Sequence, residues 1–282
     1  MPALEVADLH KRFGRVRALR GVSFALEPGE VFGFLGPNGA GKTTTLRILL
    51  GLVRADRGAA RLLGGPAGEP ASRERVGFVP GELRLPGGMT GHGVLEHFAR
   101  FRPARPPVLR ERLLDALDLR ESDLRRRVKW LSHGTRQKLG LVAALQHDPD
   151  LVLLDEPTNG LDPLVQRAFR DVVRELAARG RAVLLSSHVL SEVEAVCGRV
   201  AVLRAGDALV LVLREVLHHL RLDAVHAMFD FSARPFLQEL ADAVRLEPGE
   251  VTAASARRSA RRRGSSTWAS PPMTSWIRPC RS

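Results

Sequence analysis

The sequence predicts an α/β fold whose core is a mainly parallel sheet. From Leu131 onward, apolar strand-like segments alternate with amphipathic helical segments, a pattern typical of parallel strands covered by helices on both faces. A second observation is the apolar segment at 31–36, which leads through a glycine-rich turn into a helical pattern at 42–52. A strand, a loop and a helix in that order form the basic unit of such a sheet.

The first 26 residues have a different pattern. Residues 4–13 and 22–26 alternate apolar and polar side chains, as strands with one solvated face do. We therefore expect an antiparallel β subdomain beside the parallel core.

Helical patterns with many charges occupy the middle of the chain. Residues 94–101 and 109–119 have helical spacing, and the proline-containing segment 102–107 separates them. We interpret residues of about 90–145 as a helical subdomain inserted into the α/β core. The core as a whole is predicted to span residues 1–206.

The C-terminal part predicts less structure. Residues 225–231 alternate like a strand and residues 236–244 are amphipathic, so a small extension is expected at 207–250. Beyond it the composition changes to Ala, Ser, Arg and Pro without apolar periodicity, which predicts a disordered, basic tail at 251–282.

The charge of the chain is concentrated in that tail. The formal net charge is +12, which is typical of proteins that bind nucleic acid or an anionic membrane. Seven arginines and no acidic residue follow Thr252, so much of the excess is local and nucleic acid is not an expected partner of the core. The tail itself has three interpretations: a solvated terminus, a segment that binds anionic lipid or nucleic acid, or an altered terminus.

Two further features indicate a cytoplasmic protein. The N terminus lacks the basic and apolar regions of a signal peptide, and no uncharged apolar stretch of about 18 residues occurs. The cysteines, Cys197 and Cys280, do not have the spacing of a metal site.

The segment GPNGAGKT at 36–43 predicts a phosphate-binding loop. It fits the spacing G-x-x-x-x-G-K-[ST] between a strand and a helix, the context in which this motif cradles phosphates with backbone N–H groups. Lys42 is expected to reach the β and γ phosphates of ATP, and Thr43 to hold Mg²⁺. The predicted phosphate-contacting residues are Gly36, Pro37, Asn38, Gly39, Ala40, Gly41, Lys42, Thr43 and Thr44.

An acidic pair follows the apolar segment at 151–154. A strand here would deliver Asp155 and Glu156 to the sheet edge where open α/β sheets bind ligands. Asp155 is then a Mg²⁺ ligand, and Glu156 is the catalytic residue that orients or deprotonates the attacking water. Taken alone, the pair could instead cap a helix N terminus.

With both nucleotide motifs in place, LSHGTRQKLGL at 131–141 resembles the LSGGQ signature of ABC ATPases. The resemblance extends over residues 4–206 and implies a phosphate-loop NTPase core of ABC type. NGLDP at 159–163 resembles the D-loop of that family, and His188 in LLSSH resembles its switch histidine.

The resemblance also implies roles and partners. In ABC ATPases two copies bind ATP between one phosphate loop and the other signature, so Ser132 and Gly134 would face the partner's γ-phosphate and Asp162 would couple the two sites. His188 would contact the γ-phosphate beside Glu156, and Phe13 would stack on adenine. The implied partners are ATP, a second nucleotide-binding subunit in a homodimer, and a membrane permease at the cytoplasmic face of the membrane.

The sequence departs from the family at three positions near the site. Gly81 stands where the family has the glutamine of the Q-loop, and the adjacent Glu82 could be an oxygen ligand or a solvated loop acid. His133 and Thr135 replace a glycine and a glutamine of the signature. The loop with Gly81 and Glu82 resembles that of some drug-export subunits, which favours export.

Two other functions are compatible with parts of the sequence. A soluble ABC protein acting on ribosomes or DNA would have tandem nucleotide domains or a long coiled coil, and about ninety residues between loop and signature are too few for such a rod. A nucleotide sensor without turnover is favoured by Gly81 but opposed by Glu156 and His188.

Overall fold

The computed structural model of the chain describes residues 1–204 and 206–212, with the side chains of 208–212 excepted. The chain divides into two units, Met1–Ala208 and Leu209–Ser282, and the description below concerns the first unit and the adjoining residues to 212. The segments predicted at 225–231, 236–244 and 251–282 lie outside the described residues. The domain boundaries inferred from the sequence stay predictions.

The described strands form two sheets. In chain order they are β1 (Leu4–Phe13), β2 (Val16–Leu26), β3 (Val31–Leu35), β4 (Arg57–Leu62), β5 (Gly65–Pro66), β6 (Val76–Val79), β7 (Leu151–Asp155), β8 (Ala182–Ser187), β9 (Arg199–Arg204) and β10 (Asp207–Val212). The first sheet has the order β2-β1-β4-β5, and its pairs are antiparallel. The second has the order β10-β9-β3-β8-β7-β6, with parallel pairing of β6 to β7, β7 to β8, β8 to β3 and β3 to β9.

The helices lie between these strands. They are α1 (Lys42–Leu49), α2 (Pro70–Glu74), α3 (Gly91–Arg100), α4 (Arg110–Ala116), α5 (Glu121–Leu124), α6 (His133–Leu145), α7 (Pro163–Ala178) and α8 (Leu190–Glu194), with a 3-10 turn at Val128–Trp130 before α6. The mainly parallel sheet, the antiparallel sheet and the helices of the middle segment confirm the predicted α/β class. The helix predicted at 42–52 ends earlier, because Gly51 adopts a φ of 71°.

A bulge in β1 explains an irregularity in its sequence pattern. Val6 and Leu9 are both buried although they are an odd number of residues apart, which a regular strand does not allow. The register between β1 and β2 shifts between these two residues, and Asp8 has a φ of 49°. The extra residue returns the apolar side chains to the same face.

Aromatic side chains join the two sheets. Phe24 of β2 lies 5.3 Å and 4.8 Å, centroid to centroid, from Phe32 and Phe34 of β3. All three rings are buried. Contacts of this kind contribute beyond the area that they bury, so the antiparallel sheet is held against the strand that leads into the phosphate loop.

Charged residues cluster between α6 and β7. Arg181 donates to Asp148 at 2.6 Å and to Asp150 at 2.5 Å, and Arg105 also donates to Asp150 at 2.6 Å. Burial opposes ionisation of Asp150, but hydrogen bonds from Arg75 and Arg105 outweigh it and lower its pKa. This Asp148–Asp150 cluster fixes the C-terminal end of α6 to the core and to the segment before α4.

The described residues contain no helix with both the length and the apolar composition needed to cross a membrane. Cys197 is buried and free, and burial raises the pKa of its thiol. Cys280 lies outside the described residues.

Candidate active site

Three parallel strands end at the site. The register pairs Leu35 of β3 with Ser187 of β8, and Asp155 of β7 with Ser186 of β8. The phosphate loop follows β3, the acidic pair closes β7 and His188 follows β8. Parallel pairing therefore gathers three segments that are far apart in sequence at one sheet edge.

The phosphate loop has the backbone that the motif predicts. Gly39 and Gly41 have φ of 80° and 115°, and a Cβ on Gly41 would lie 2.8 Å from the Ala18 carbonyl oxygen. The first hydrogen bond of α1 runs from Thr45 N–H to Gly41 O at 2.9 Å. The amides of Lys42, Thr43 and Thr44 precede that bond, so they lie in the first turn, where N–H groups are available to an anion.

Lys42 lies at the centre of the site. Its side chain is 5% exposed, and Nζ donates to the carbonyl oxygens of Gly36 at 2.6 Å and Pro37 at 3.4 Å. The same nitrogen lies 3.3 Å from Oε1 of Glu156. A buried ammonium with these acceptors is held at the loop, as a phosphate-binding lysine requires.

The predicted Mg²⁺ ligands lie together. Thr43 Oγ1 donates to Oδ2 of Asp155 at 2.7 Å, and Ser186 Oγ donates to the other carboxylate oxygen at 2.6 Å. Asp155 is 3% exposed, so its charge is shielded from water. A hydroxyl and a carboxylate are the oxygen donors that Mg²⁺ prefers, so the residues present fit this cation.

Glu156 and His188 form a pair beside Lys42. His188 Nδ1 lies 2.7 Å from Oε2 of Glu156, whose side chain is 13% exposed. Oε1 of Glu156 has no hydrogen-bond partner among the described residues, although it is buried. One carboxylate oxygen is therefore held by the histidine, while the other lies 3.3 Å from the Lys42 ammonium without a hydrogen bond of standard geometry.

The backbone at Glu156 excludes the alternative role of the acidic pair as a helix cap. Glu156 has a φ of 49°, and its N–H donates to Ser186 O at 3.1 Å. The next helix, α7, begins at Pro163, and Asp162 caps it by accepting from Leu164 N–H and Val165 N–H. The left-handed conformation is uncommon outside glycine and typical of functional sites.

The signature residues lie apart from these groups. Ser132 caps α6 by accepting from Thr135 N–H at 3.1 Å and is exposed. A Cβ on Gly134 would lie 2.8 Å from Gly160 O, and a Cβ on Gly160 would lie 2.1 Å from His133 Cδ2. The signature thus contacts the predicted D-loop of its own chain.

Phe13 and the Q-loop position complete the set. Phe13 is 49% exposed, and Lys11 Nζ lies 5.3 Å from its ring centroid. A Cβ on Gly81 would lie 3.4 Å from Oδ2 of Asp155, so this position borders the predicted metal ligand. Glu82 is instead 79% exposed and pairs with Arg84 at 2.7 Å, which makes it a solvated loop acid.

Sequence reasoning missed two polar groups of the site. Ser186 donates to Asp155 directly, and Glu192 accepts from Thr158 and Ser187, which lie close in sequence to Glu156 and His188. Ser186 belongs to the apolar segment that ends at His188, so its position at a strand end was an available signal. Glu192 had no such signal in the sequence, because its contacts with Thr158 and Ser187 depend on the tertiary packing of α8.

This loop and these acids have the arrangement of a phosphate-loop nucleotide-binding site. The family described as ABC transporter matches residues 19–159. The chain is 41% identical over 197 residues to an uncharacterized ABC transporter ATP-binding protein of Nostoc sp., covering 68% of this chain and 59% of that protein. It is 41% identical over 214 residues to Nod factor export ATP-binding protein I of Paraburkholderia xenovorans, covering 72% and 68%.

The chain therefore belongs to the ABC transporter family, as the resemblance in its sequence implies. A solved ATP-binding subunit of an ABC transporter has a TM-score of 0.70 and 28% identity, covering 85% of this chain and 99% of that one. A dimeric ATP-binding cassette bound to ADP and Pi shares the fold with a TM-score of 0.65, covering 75% of this chain and 99% of that one, at 21% identity. The matched segment spans 59% of the Nostoc protein and 56% of a Synechocystis relative.

Proposed function

We propose that the chain hydrolyses MgATP at sites shared by two copies and that this drives export through a separate membrane permease. One observation carries the catalytic part of the proposal. The Glu156 carboxylate lies between Lys42 Nζ at 3.3 Å and His188 Nδ1 at 2.7 Å, next to a phosphate-binding loop. This arrangement brings a base, a cation and a second polar group to the point where a terminal phosphate would lie.

The phosphate loop and Phe13 bind the nucleotide. The amides of the first turn of α1 and the Lys42 ammonium compensate the phosphate charge, and the exposed Phe13 ring offers a surface on which adenine stacks. Lys42 Nζ is held at the loop by two carbonyl oxygens and lies near Glu156, so binding of the phosphates exchanges some of these acceptors for phosphate oxygens.

Thr43 and Asp155 are the residues that would hold Mg²⁺. When bound, the cation neutralises charge on the phosphate oxygens during phosphoryl transfer. Ser186 donates to the Asp155 oxygen that faces away from Thr43, which fixes the orientation of the carboxylate.

Glu156 is the base in this proposal. In this role its Oε1, which lies 3.3 Å from Lys42 Nζ, accepts a proton from the attacking water. His188 holds the other oxygen and is proposed to donate to the γ-phosphate. A positioned base contributes about 10²- to 10⁴-fold in rate.

A second copy completes the site. Ser132 and the Gly134 amide lie at the N terminus of α6, a position where backbone N–H groups can bind an anion. We propose that they contact the γ-phosphate bound by the other copy of a homodimer, and that Asp162, which ends the D-loop, links the two sites. The dimeric form of the related cassette bound to ADP and Pi supports this assembly.

The permease and the direction of transport rest on the relatives. Several of them are named Nod factor export ATP-binding protein I. We propose a peripheral location at the cytoplasmic face of the membrane, with the permease docking near Gly81 and the helical segment. The test measures binding of the chain to inside-out membrane vesicles from which peripheral proteins have been removed, before and after the vesicles are treated with protease. Loss of binding after the treatment supports a protein partner, whereas unchanged binding indicates that the chain binds lipid.

The main test is MgATP hydrolysis as a function of protein concentration, for the native sequence, Glu156→Gln and Glu82→Gln. Glu82 provides the matched control because it is an exposed acid on a neighbouring loop. We expect the rate to rise faster than linearly with concentration, to be lost in Glu156→Gln and to persist in Glu82→Gln. A rate that is proportional to protein concentration and unchanged in Glu156→Gln contradicts the mechanism. Binding of ATP without hydrolysis, in the native sequence and in both variants, favours a nucleotide sensor.

A further inference from the structure

Glu192 connects the two segments that carry the catalytic pair. It lies on α8, four residues after His188. Its Oε1 accepts from Thr158 Oγ1 at 2.7 Å, and its Oε2 accepts from Ser187 Oγ at 2.7 Å. Thr158 follows Glu156 by two residues, and Ser187 immediately precedes His188.

The directions of these hydrogen bonds follow from the donors present. Ser187 Oγ accepts from Val189 N–H at 3.0 Å, so its proton is directed to Glu192. Thr158 likewise donates to the carboxylate, which acts only as an acceptor when ionised. Ser187 is fully buried and Thr158 is 8% exposed, so water competes little for either hydroxyl. Hydrogen bonds to a charged acceptor are among the stronger ones in proteins.

These contacts close a ring through the site. Glu156 and His188 are 2.7 Å apart on one side, and the Glu192 carboxylate joins their neighbouring residues on the other. Glu156 has a left-handed φ and therefore depends on its surroundings to stay in place. Thr158 follows Glu156 by two residues, so its hydrogen bond to Glu192 restrains the backbone just after Glu156.

We propose that Glu192 is a positioning residue that sets the separation of Glu156 and His188 for ATP hydrolysis. The inference rests on the proposed function, in which these two residues act on water and the γ-phosphate. The hydrogen bonds of Glu192 are with Thr158 and Ser187, outside the phosphate loop and Asp155, so we expect its substitution to lower turnover and to leave nucleotide binding unchanged.

The experiment measures kcat, KM and equilibrium MgATP binding for Glu192→Ala, Glu192→Gln and the native sequence. Since a misplacement of about 1 Å costs roughly a hundredfold, we expect kcat to fall about ten- to a hundredfold in Glu192→Ala. MgATP affinity should stay within a factor of about three. Glu192→Gln keeps one carbonyl acceptor, so its kcat should lie between those of Glu192→Ala and the native sequence. Asp171→Asn, an exposed acid of α7 paired with Arg174, is the matched control and should keep the native kcat.

A double-mutant cycle separates positioning from general weakening of the fold. Thr158→Val and Ser187→Ala each remove one donor to Glu192 with little change in size. If the ring acts as a unit, either substitution combined with Glu192→Ala should lower kcat hardly further than Glu192→Ala alone. Should Glu192→Ala fail to fold, the cycle is run with Glu192→Gln.

The outcomes distinguish this inference from the proposed function. Loss of turnover in Glu156→Gln with native kcat in both Glu192 variants overturns the positioning role alone. Equal losses of kcat and MgATP affinity in Glu192→Ala, or fully additive effects in the cycle, also overturn it. Hydrolysis indifferent to Glu156 refutes the proposed function, and with it the positioning role.

Discussion

Gly160→Ala should impair the signature segment through a single contact. Gly160 has a φ of 76°, and a Cβ added there would lie 2.1 Å from His133 Cδ2 and 2.6 Å from His133 Nε2. Carbon atoms pack at about 3.5–4.0 Å, so the imidazole has to move by about 1.5 Å. His133 is the first residue of α6, and it lies next to Ser132 and Gly134, the residues proposed to reach the other copy's ATP.

The control variant Gly180→Ala separates the steric clash with His133 from the effect of backbone strain. Gly180 has a similar φ of 82°, and a Cβ there would meet nothing within 4 Å. The left-handed conformation costs roughly 1–2 kcal/mol for a residue with a Cβ. Both variants should therefore lose similar stability, and each kcal/mol lowers Tm by about 2–4 °C for a domain of this size.

Only Gly160→Ala should lose ATPase activity strongly. A displacement of about 1 Å in a catalytic arrangement costs about a hundredfold, which we expect as the additional loss relative to Gly180→Ala. Replacing His133 with glycine as well removes the clash and should restore most of the activity. The assay is MgATP hydrolysis at saturating protein, with Tm from thermal denaturation. Equal activity of the two alanine variants, or no recovery in the double variant, would contradict the predicted effect of the contact between Gly160 and His133.

Three other predictions concern separate groups. Asp155→Asn should weaken binding of MgATP and leave binding of metal-free ATP unchanged, as measured by nucleotide titration with and without Mg²⁺. Phe13→Ala should lower ATP affinity by about 1–3 kcal/mol through lost stacking but not affinity for inorganic triphosphate, in competition titrations. Burial lowers the pKa of His147 to about 4, with repulsion from Arg102 and Arg105. Since the unfolded histidine binds protons below about pH 6.5, stability should fall from pH 6.5 to 4; His147→Gln should reduce that slope by up to about 1.4 kcal/mol per pH unit in urea titrations.

The phosphate loop and the acidic pair were predictable because each is encoded locally. An apolar strand, glycines with positive φ and a helix start occur together in the loop at 36–43, and the strand before Asp155 is uniformly apolar and buried. Sequence periodicity therefore located both segments to within a few residues. Their proximity followed from the rule that parallel strands end at one edge.

The supporting contacts could not be predicted in the same way. Ser186 reaches Asp155 because of the register between β7 and β8, which are separated by 31 residues in this contact. The bulge at Asp8 and the left-handed Glu156 depend on tertiary packing, because neither residue type indicates a positive φ by itself. The side-chain direction of Glu82 was likewise open until its partner Arg84 was known.

The position of α6 has a mechanical consequence. The helix has 13 residues and is about 20 Å long. Its C-terminal end is fixed by the Asp148–Asp150 cluster, whereas its N-terminal end rests on Gly160. A rigid rod of that length, pivoting by only about 3° at the fixed end, moves its free end by about 1 Å. A small rotation of α6 about its C-terminal end would therefore displace Ser132 at the opposite end, while the Asp148–Asp150 cluster stayed in place.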